Sequence, residues 1–367
     1  MNDLHTSLDL LRRIHISSGS CLSFVTPEHS CSPPQNGTTR NPLPATQDLV
    51  DLVTTRSPRP ATQGLIDLVT TRNPLPATEG LVDLATALLP ETYTISESDF
   101  CSRHPDLQII AYVHSSVSET EKRRITRETW ARASEFDSGV KVGVVFMVGS
   151  AKTPREAAIV REESQAHRDI VQGEYDDSYH TLSYKALASL RWVSIYCPRV
   201  PWTLHADDDV LLDLFLLTRF LKEVHKEDSF FCFNWKGSEV KRFGKWQVSR
   251  TEFLEKNYPP YCSGAVWILA THLVYRLLNA TRQEPFLWVD DVYITGILAK
   301  RAGIGHFGHL KEFLRIEKIT PSDLGKFVAW VHIPDRGRWW RTMLSYYGYM
   351  KMSTTNVIRR LSAKVPA

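Results

Sequence analysis

The sequence predicts an α/β domain over residues 95–345, a mainly parallel central sheet flanked by helices. Three observations carry that expectation. From about Pro105 onward, short apolar runs alternate with longer amphipathic ones. Three carboxylates, Asp207-Asp208-Asp209, directly follow one of the apolar runs, at the strand end where open α/β sheets place their ligands. A second acidic pair, Asp290-Asp291, is walled by Phe286-Leu287-Trp288-Val289 and Val292-Tyr293-Ile294.

The elements follow in order. Leu107 to Val113 reads as a buried strand, and Ser118 with Glu121 forms a capping box for a basic helix through Trp130. Val140 to Val148 is the next strand and Pro154 to His167 the next helix. Ser178 to Tyr196 is a long amphipathic helix, its stripe supplied mostly by Leu182, Leu187, Leu190, Val193 and Ile195. A strand from Pro201 delivers the aspartate triplet, and an apolar helix follows Val210. This β-α-β-α order makes the sheet mainly parallel. Phe230 to Trp235 is another strand, and Lys236 to Lys256 a basic loop region interleaved with aromatic residues. Tyr258-Pro259-Pro260-Tyr261-Cys262-Ser263-Gly264 reads as a rigid binding turn that leads into a strand over Ala265 to Ala270.

The first hundred residues have a different texture. Residues 1–40 read as disordered, and residues 41–88 hold a three-copy repeat with a period of 16. Asn41-Pro42-Leu43-Pro44-Ala45-Thr46 recurs as Ser57-Pro58-Arg59-Pro60-Ala61-Thr62 and Asn73-Pro74-Leu75-Pro76-Ala77-Thr78, each followed by a short Leu-Val/Ile-Asp-Leu core. Two prolines per unit favour an extended spacer, and the helix-capable part is too short to stand alone. The repeat is therefore a non-globular stem or linker. Residues 346–367 form a C-terminal tail.

Composition narrows the function. Lys and Arg total 44 against 41 Asp and Glu, a balance that gives no reason to expect a nucleic-acid partner. Six cysteines without a C-x-x-C pair argue against a zinc or thioredoxin-like site, leaving disulfides and buried thiols both open. The sequons Asn36-Gly37-Thr38 and Asn279-Ala280-Thr281 are compatible with secretory passage. No segment is apolar for long enough to span a bilayer, so the chain as written reads as soluble.

The aspartate triplet suits a hard divalent cation, Mg²⁺ or Mn²⁺, which is commonly held by one or two protein carboxylates together with substrate phosphates. An aspartate beside Phe286, Leu287 and Trp288 is expected to have a raised pKa, which makes it a better base than a solvated one. Arg123, Arg124 and Arg127 suit a diphosphate or are a solvated basic face. Lys185 either pairs with the triplet or is a surface lysine. Trp288 either stacks on a sugar or packs in the core.

Several motifs stand in one order: Arg123-Arg124-x-x-Arg127-x-Thr129-Trp130, Asp177-Ser178-Tyr179-x-x-Leu182-x-x-Lys185, Arg191-Trp192-Val193, Cys197-Pro198, Asp207-Asp208-Asp209-Val210, Tyr258 to Gly264, and Asp290-Asp291-Val292-Tyr293. In that order, from Ile109 to Gly303, the chain resembles the β-1,3-galactosyltransferase family, which includes β-1,3-N-acetylglucosaminyltransferases and, more distantly, the Fringe enzymes. The resemblance implies a Rossmann-like glycosyltransferase-A fold. It also implies a Mn²⁺-dependent (or Mg²⁺-dependent) inverting enzyme that moves a hexose, galactose foremost, from a UDP-sugar to a hydroxyl of a glycoprotein or glycolipid glycan in β-1,3 linkage. By the same resemblance Asp209, Asp207 and His332 hold the metal, and Asp291 rather than Asp290 is the catalytic base. Arg123, Arg127, Lys185, Asp207, Asp208 and Gly264 meet the nucleotide sugar.

The sequence departs from the family pattern at Ala265, where Gly is usual, at Asp290, where Glu is usual, and at His205-Ala206, where a Lys-containing pair is more frequent. None of these removes a catalytic carboxylate, so activity is expected to survive. Family members are single-pass Golgi membrane proteins with a lumenal catalytic domain. The stem is recognisable here and the membrane helix is not, which is expected either of a misassigned first exon or of an unanchored product that does not reach the lumen. The alternative is a non-catalytic relative that keeps the fold as a sugar-binding or partner-binding module.

Overall fold

Every residue of Ile109–His114 and of Val142–Val148 is buried, as expected of strands covered on both faces. The computed structural model describes residues 93–348 apart from 138, 224–227, 307–312 and 317. The repeat at 41–88, the sequon at Asn36, Cys21 and Cys31, and almost all of the expected C-terminal tail lie outside the described residues.

The strands are β1 (Tyr93–Ile95), β2 (Ile109–His114), β3 (Val142–Val148), β4 (Ile170–Gly173), β5 (Trp202–Asp207), β6 (Leu211–Leu212), β7 (Ser229–Trp235), β8 (Tyr261–Ala270), β9 (Gly305–His306), β10 (Leu314–Arg315) and β11 (Ala329–Trp330). Eight of them form one sheet in the order β1-β4-β3-β2-β5-β8-β7-β9. Its β4-β3-β2-β5 half is parallel, whereas β8 runs antiparallel to both β5 and β7. The sheet is thus mixed and mostly parallel, as the sequence predicts. The strand expected at Ala265 begins earlier, at Tyr261, because Tyr261 and Cys262 already pair with Trp235 and Asn234. Only Tyr258-Pro259-Pro260 remains of the expected turn.

Helices α1 (Thr120–Glu128), α2 (Pro154–His167), α3 (Leu182–Tyr196), α4 (Leu214–Glu223) and α5 (Val274–Ala280) are followed by α6. This last helix starts at Asp290–Val292, winds as a π-helix over Tyr293–Leu298 and ends at Ala299–Ala302. Residues 336–348 form the final helix, α7. Helix α2 keeps its predicted bounds, since Thr153 and Glu156 cap each other's backbone and Pro154 opens the first turn. The capping box expected at Ser118 and Glu121 does not form. Helix α1 starts one residue late for it, and the Ser118 hydroxyl pairs with that of Ser116 at 3.0 Å.

Alternation along β2 sends Ile110 and Tyr112 to one core and Ile109, Ala111 and Val113 to the other. The first core packs Leu187, Leu190 and Val193 of α3 with Leu277 of α5 and Tyr293 of α6, and the second packs Leu214 and Leu217 of α4 with Trp130. The cysteines left open by the sequence pair as Cys101–Cys197 and Cys232–Cys262, with Cα separations of 5.4 and 5.6 Å. Among the described residues no helix is long and apolar enough to cross a membrane.

Candidate active site

Strand β5 is buried from Thr203 to Ala206 and ends on Asp207, so the sheet itself delivers the triplet to its carboxyl edge. A small second sheet then places a partner opposite. Strand β11 pairs antiparallel with β6, Trp330 against Leu211 and Ala329 against Leu212. Continuing that register two residues brings His332 to Asp209, with Nδ1 3.8 Å from Oδ2. His332 is held at φ +57, a left-handed conformation that a residue with a side chain adopts at a cost of about 1–3 kcal/mol. Backbone strain at that position is consistent with a side chain aimed for use.

The two acidic clusters line one cleft of about 950 Å³, together with Lys185, Gly264 and His332. Burial is the largest cause of the raised pKa of Asp207, and Asp290 is the next. Asp208 is also raised by burial, but its Oδ2 accepts from Ser115 Oγ at 2.8 Å and its Oδ1 lies 3.2 Å from Lys122 Nζ. Arg336 Nη1 donates to the Asp208 carbonyl at 2.6 Å. Sequence reasoning missed Ser115, Lys122 and Arg336 in these roles. Arg336 lies 128 residues from Asp208 and carried no local signal at all.

On the opposite wall, burial raises Asp290 to about 6 and, helped by the neighbouring Asp290 charge, raises Asp291 to about 8. The two differ in outlook. Asp290 is the strongest charged neighbour of Asp207 and senses Lys185, whereas Asp291 accepts from Val292 N at 2.7 Å and faces Gly264, Tyr258 and Tyr261. A Cβ added at Gly264 would sit 3.4 Å from the Asp291 carboxylate, an ordinary contact distance, so Gly264 marks how closely β8 approaches that carboxylate. The Asp291 carbonyl accepts from Thr295 Oγ1 at 2.5 Å, and Thr295 in turn accepts from Cys262 N at 2.8 Å, which ties the first π-turn to β8.

Two expected nucleotide contacts need correction. Arg123 is fully buried and gives its guanidinium to Glu163, at 2.9 and 2.6 Å, and to the Ser116 and Val117 carbonyls. Arg127 is bound by Asp169 at 2.8 Å through two nitrogens and by Glu163 at 2.8 Å. Neither lines the cleft, because internal carboxylates already take their charge. Arg124 pairs with Glu121 and Glu128 on the exposed side of α1. Lys185 does reach the cleft, but its direct partners are Asp177 and the Ser115 carbonyl, at 2.6 Å for the latter, rather than the triplet. Trp288 is 5 % exposed and belongs to the core.

Two donor sets could hold a cation. His114, His205 and Asp207 offer ligand atoms within 4.8 Å of one another. Their imidazoles are buried, and burial, which depresses His205 to about 4 and His114 well below its usual value, keeps both neutral, the form that can ligate a metal. The other set faces the cleft, with 42% of the Asp209 and 74% of the His332 side-chain surface open. A divalent ion about 2.1 Å from each of two ligands fits between Asp209 and His332. Their carboxylate and imidazole donors, with Asp207 beside them, are chemically suited to Mn²⁺, and the crowding of unscreened aspartates around them is what a cation would relieve.

Residues 121–309 match the sequence model described as galactosyltransferase. Among similar curated proteins, β-1,3-galactosyltransferase 5 of Mus musculus is 29% identical over 203 residues, 54% of this chain and 65% of that one. The Homo sapiens protein of that name is 28% identical over 207 residues, 56% and 66% of the two chains. β-1,3-Galactosyltransferase 1 of Mus musculus is 27% identical over 219 residues, 59% and 66%. The chain therefore spans just under two thirds of the length of these relatives. Solved structures with a similar arrangement include the galactosyltransferase LgtC in complex with donor and acceptor sugar analogues, at TM-score 0.35 and 11% identity over 62% of this chain and 87% of that one. The apo bifunctional glycosyltransferase WbbM matches at TM-score 0.36 and 10% identity over 62% and 46%. The stretch matched by the family covers more than half of the chain and contains both acidic clusters that converge on the cleft, and on that match the chain belongs to the galactosyltransferase family.

Proposed function

We propose that this chain transfers a hexose, galactose foremost, from a UDP-sugar to a glycan hydroxyl with inversion, forming a β-1,3 linkage. The single observation behind this reading is that Asp209 and Asp291 share one cleft. Asp291, with its pKa raised to about 8, accepts the proton of the acceptor hydroxyl. The freed oxygen pair forms the new bond to the anomeric carbon, the bond from that carbon to the diphosphate oxygen breaks, and the electrons leave with UDP. One displacement from the opposite face inverts the configuration. Asp209, Asp207 and His332 are the residues that would hold Mn²⁺, which when bound neutralises charge on the leaving diphosphate. Lys122, positioned beside Asp208 on the same wall, supplies a further cation there.

The relatives' names support galactose and the β-1,3 linkage. The two disulfides support folding in an oxidising compartment, and a lumenal Golgi location accords with them. The test is turnover of a panel of UDP-sugars by the full chain with Mn²⁺, with and without glycan acceptors, against Asp291→Asn. Transfer from UDP-galactose that falls by about 10²–10⁴-fold in the variant is expected. Equal transfer rates in the two proteins would reject Asp291 as the base, and no turnover of any donor would favour a non-catalytic binding module instead.

A further inference from the structure

We propose that the acceptor sugar lies on an aromatic platform made by Trp246 and Tyr179 and steadied by Trp288, with the Lys245 ammonium beside it; this rests on the transferase reading. The base fixes which wall the acceptor must use, because its hydroxyl has to reach Asp291. Trp288 stands three residues before Asp291 in the same segment, so whatever stacks on Trp288 is held next to the base. What stacks there is Trp246, with ring centroids 5.9 Å apart and planes 14° from parallel. Tyr179 meets Trp246 edge to face at 5.5 Å, and Lys245 Nζ lies 4.0 Å from the Tyr179 ring centre and 4.9 Å from that of Trp246.

Both rings line the cleft and remain open, Tyr179 at 54% and Trp246 at 40% exposure. A pyranose offers the complementary surface, a C–H face for the rings and hydroxyl groups for the ammonium. The arch that carries Trp246 is also built to hold still. Its base is closed by Cys232–Cys262, and Arg242 inside it donates to the carbonyls of Val248, Ser249 and Phe253 at 2.9 Å and of Glu255 at 2.8 Å.

The experiment compares the parent, Trp246→Ala and Trp246→Phe in two measurements. Saturation-transfer NMR with lactose and N,N′-diacetylchitobiose reads sugar binding without any reaction. Steady-state transfer and acceptor-free hydrolysis of UDP-galactose read the rest. Expected are binding of at least one sugar by the parent, its loss in Trp246→Ala, and an acceptor KM raised by about tenfold, with donor KM and acceptor-free hydrolysis within about twofold of the parent and partial recovery in Trp246→Phe. Equal sugar binding by the parent and Trp246→Ala, or binding of neither sugar by the parent, would overturn the platform. A parent that binds sugar through Trp246 yet turns over no donor would keep the platform and reject the transferase.

Discussion

Asp291 titrates where an enzyme working near neutrality needs it, and the sign of its pH dependence follows from the cause. Burial and the Asp290 charge favour its protonated form, which cannot accept a proton, and Tyr258 and Tyr261 beside it bring no compensating positive charge. We expect kcat/KM to rise with pH up to about 8 and to be lost below, with this limb absent in Asp291→Asn. His332 offers a second test, because strain and function separate there. His332→Gly relieves the left-handed backbone, so the melting temperature should be unchanged or higher, while Mn²⁺ affinity measured by calorimetry should fall by about 10–100-fold. Arg123 shows why basic residues mislead a reader of sequence. It stands in a helix of mostly charged residues, yet its guanidinium is fully buried on Glu163, a partner 40 residues away that no local pattern announces. Arg123→Met should destabilise the fold by about 3–5 kcal/mol in denaturant unfolding, and should leave donor KM unchanged at temperatures where the variant is folded.

At the scale of elements, what was legible had short-range causes. Helix α2 was readable to the residue because its cap, its first-turn proline and its length are all local. The triplet at the end of β5 is legible because three carboxylates in a row follow a short strand-like stretch, Val200 to Leu204, by two residues. The pairing of β6 with β11 was not, since two-residue strands more than a hundred positions apart have no periodicity to detect. Trp288, an aromatic that suits either a sugar or the core, packs in the core, and Trp246 stacks on it at the cleft. The arch between β7 and β8 yields its own test. Cys232–Cys262 closes a separation of 30 residues, for which chain entropy gives about 3–4 kcal/mol of stabilisation. The double change Cys232→Ser and Cys262→Ser should lower the melting temperature by several degrees, and should raise acceptor KM more than donor KM if the arch is what carries the acceptor.

At the scale of the whole molecule, the cleft lies along a seam in the sheet. The parallel half ends in β5 and carries the triplet, and the antiparallel β8 next to it sets Gly264 against Asp291. The two halves therefore bring both acidic clusters to one line. The antiparallel register that sets His332 against Asp209 has a consequence in time. A chain emerging from the ribosome exposes its aspartates long before residue 332 exists, and through that interval Asp209 lacks the imidazole that stands 3.8 Å from it in the finished fold. The two walls of the cleft nearest Asp209 are thus completed by residues made at widely separated times, and the last of them closes the site from the carboxyl-terminal side.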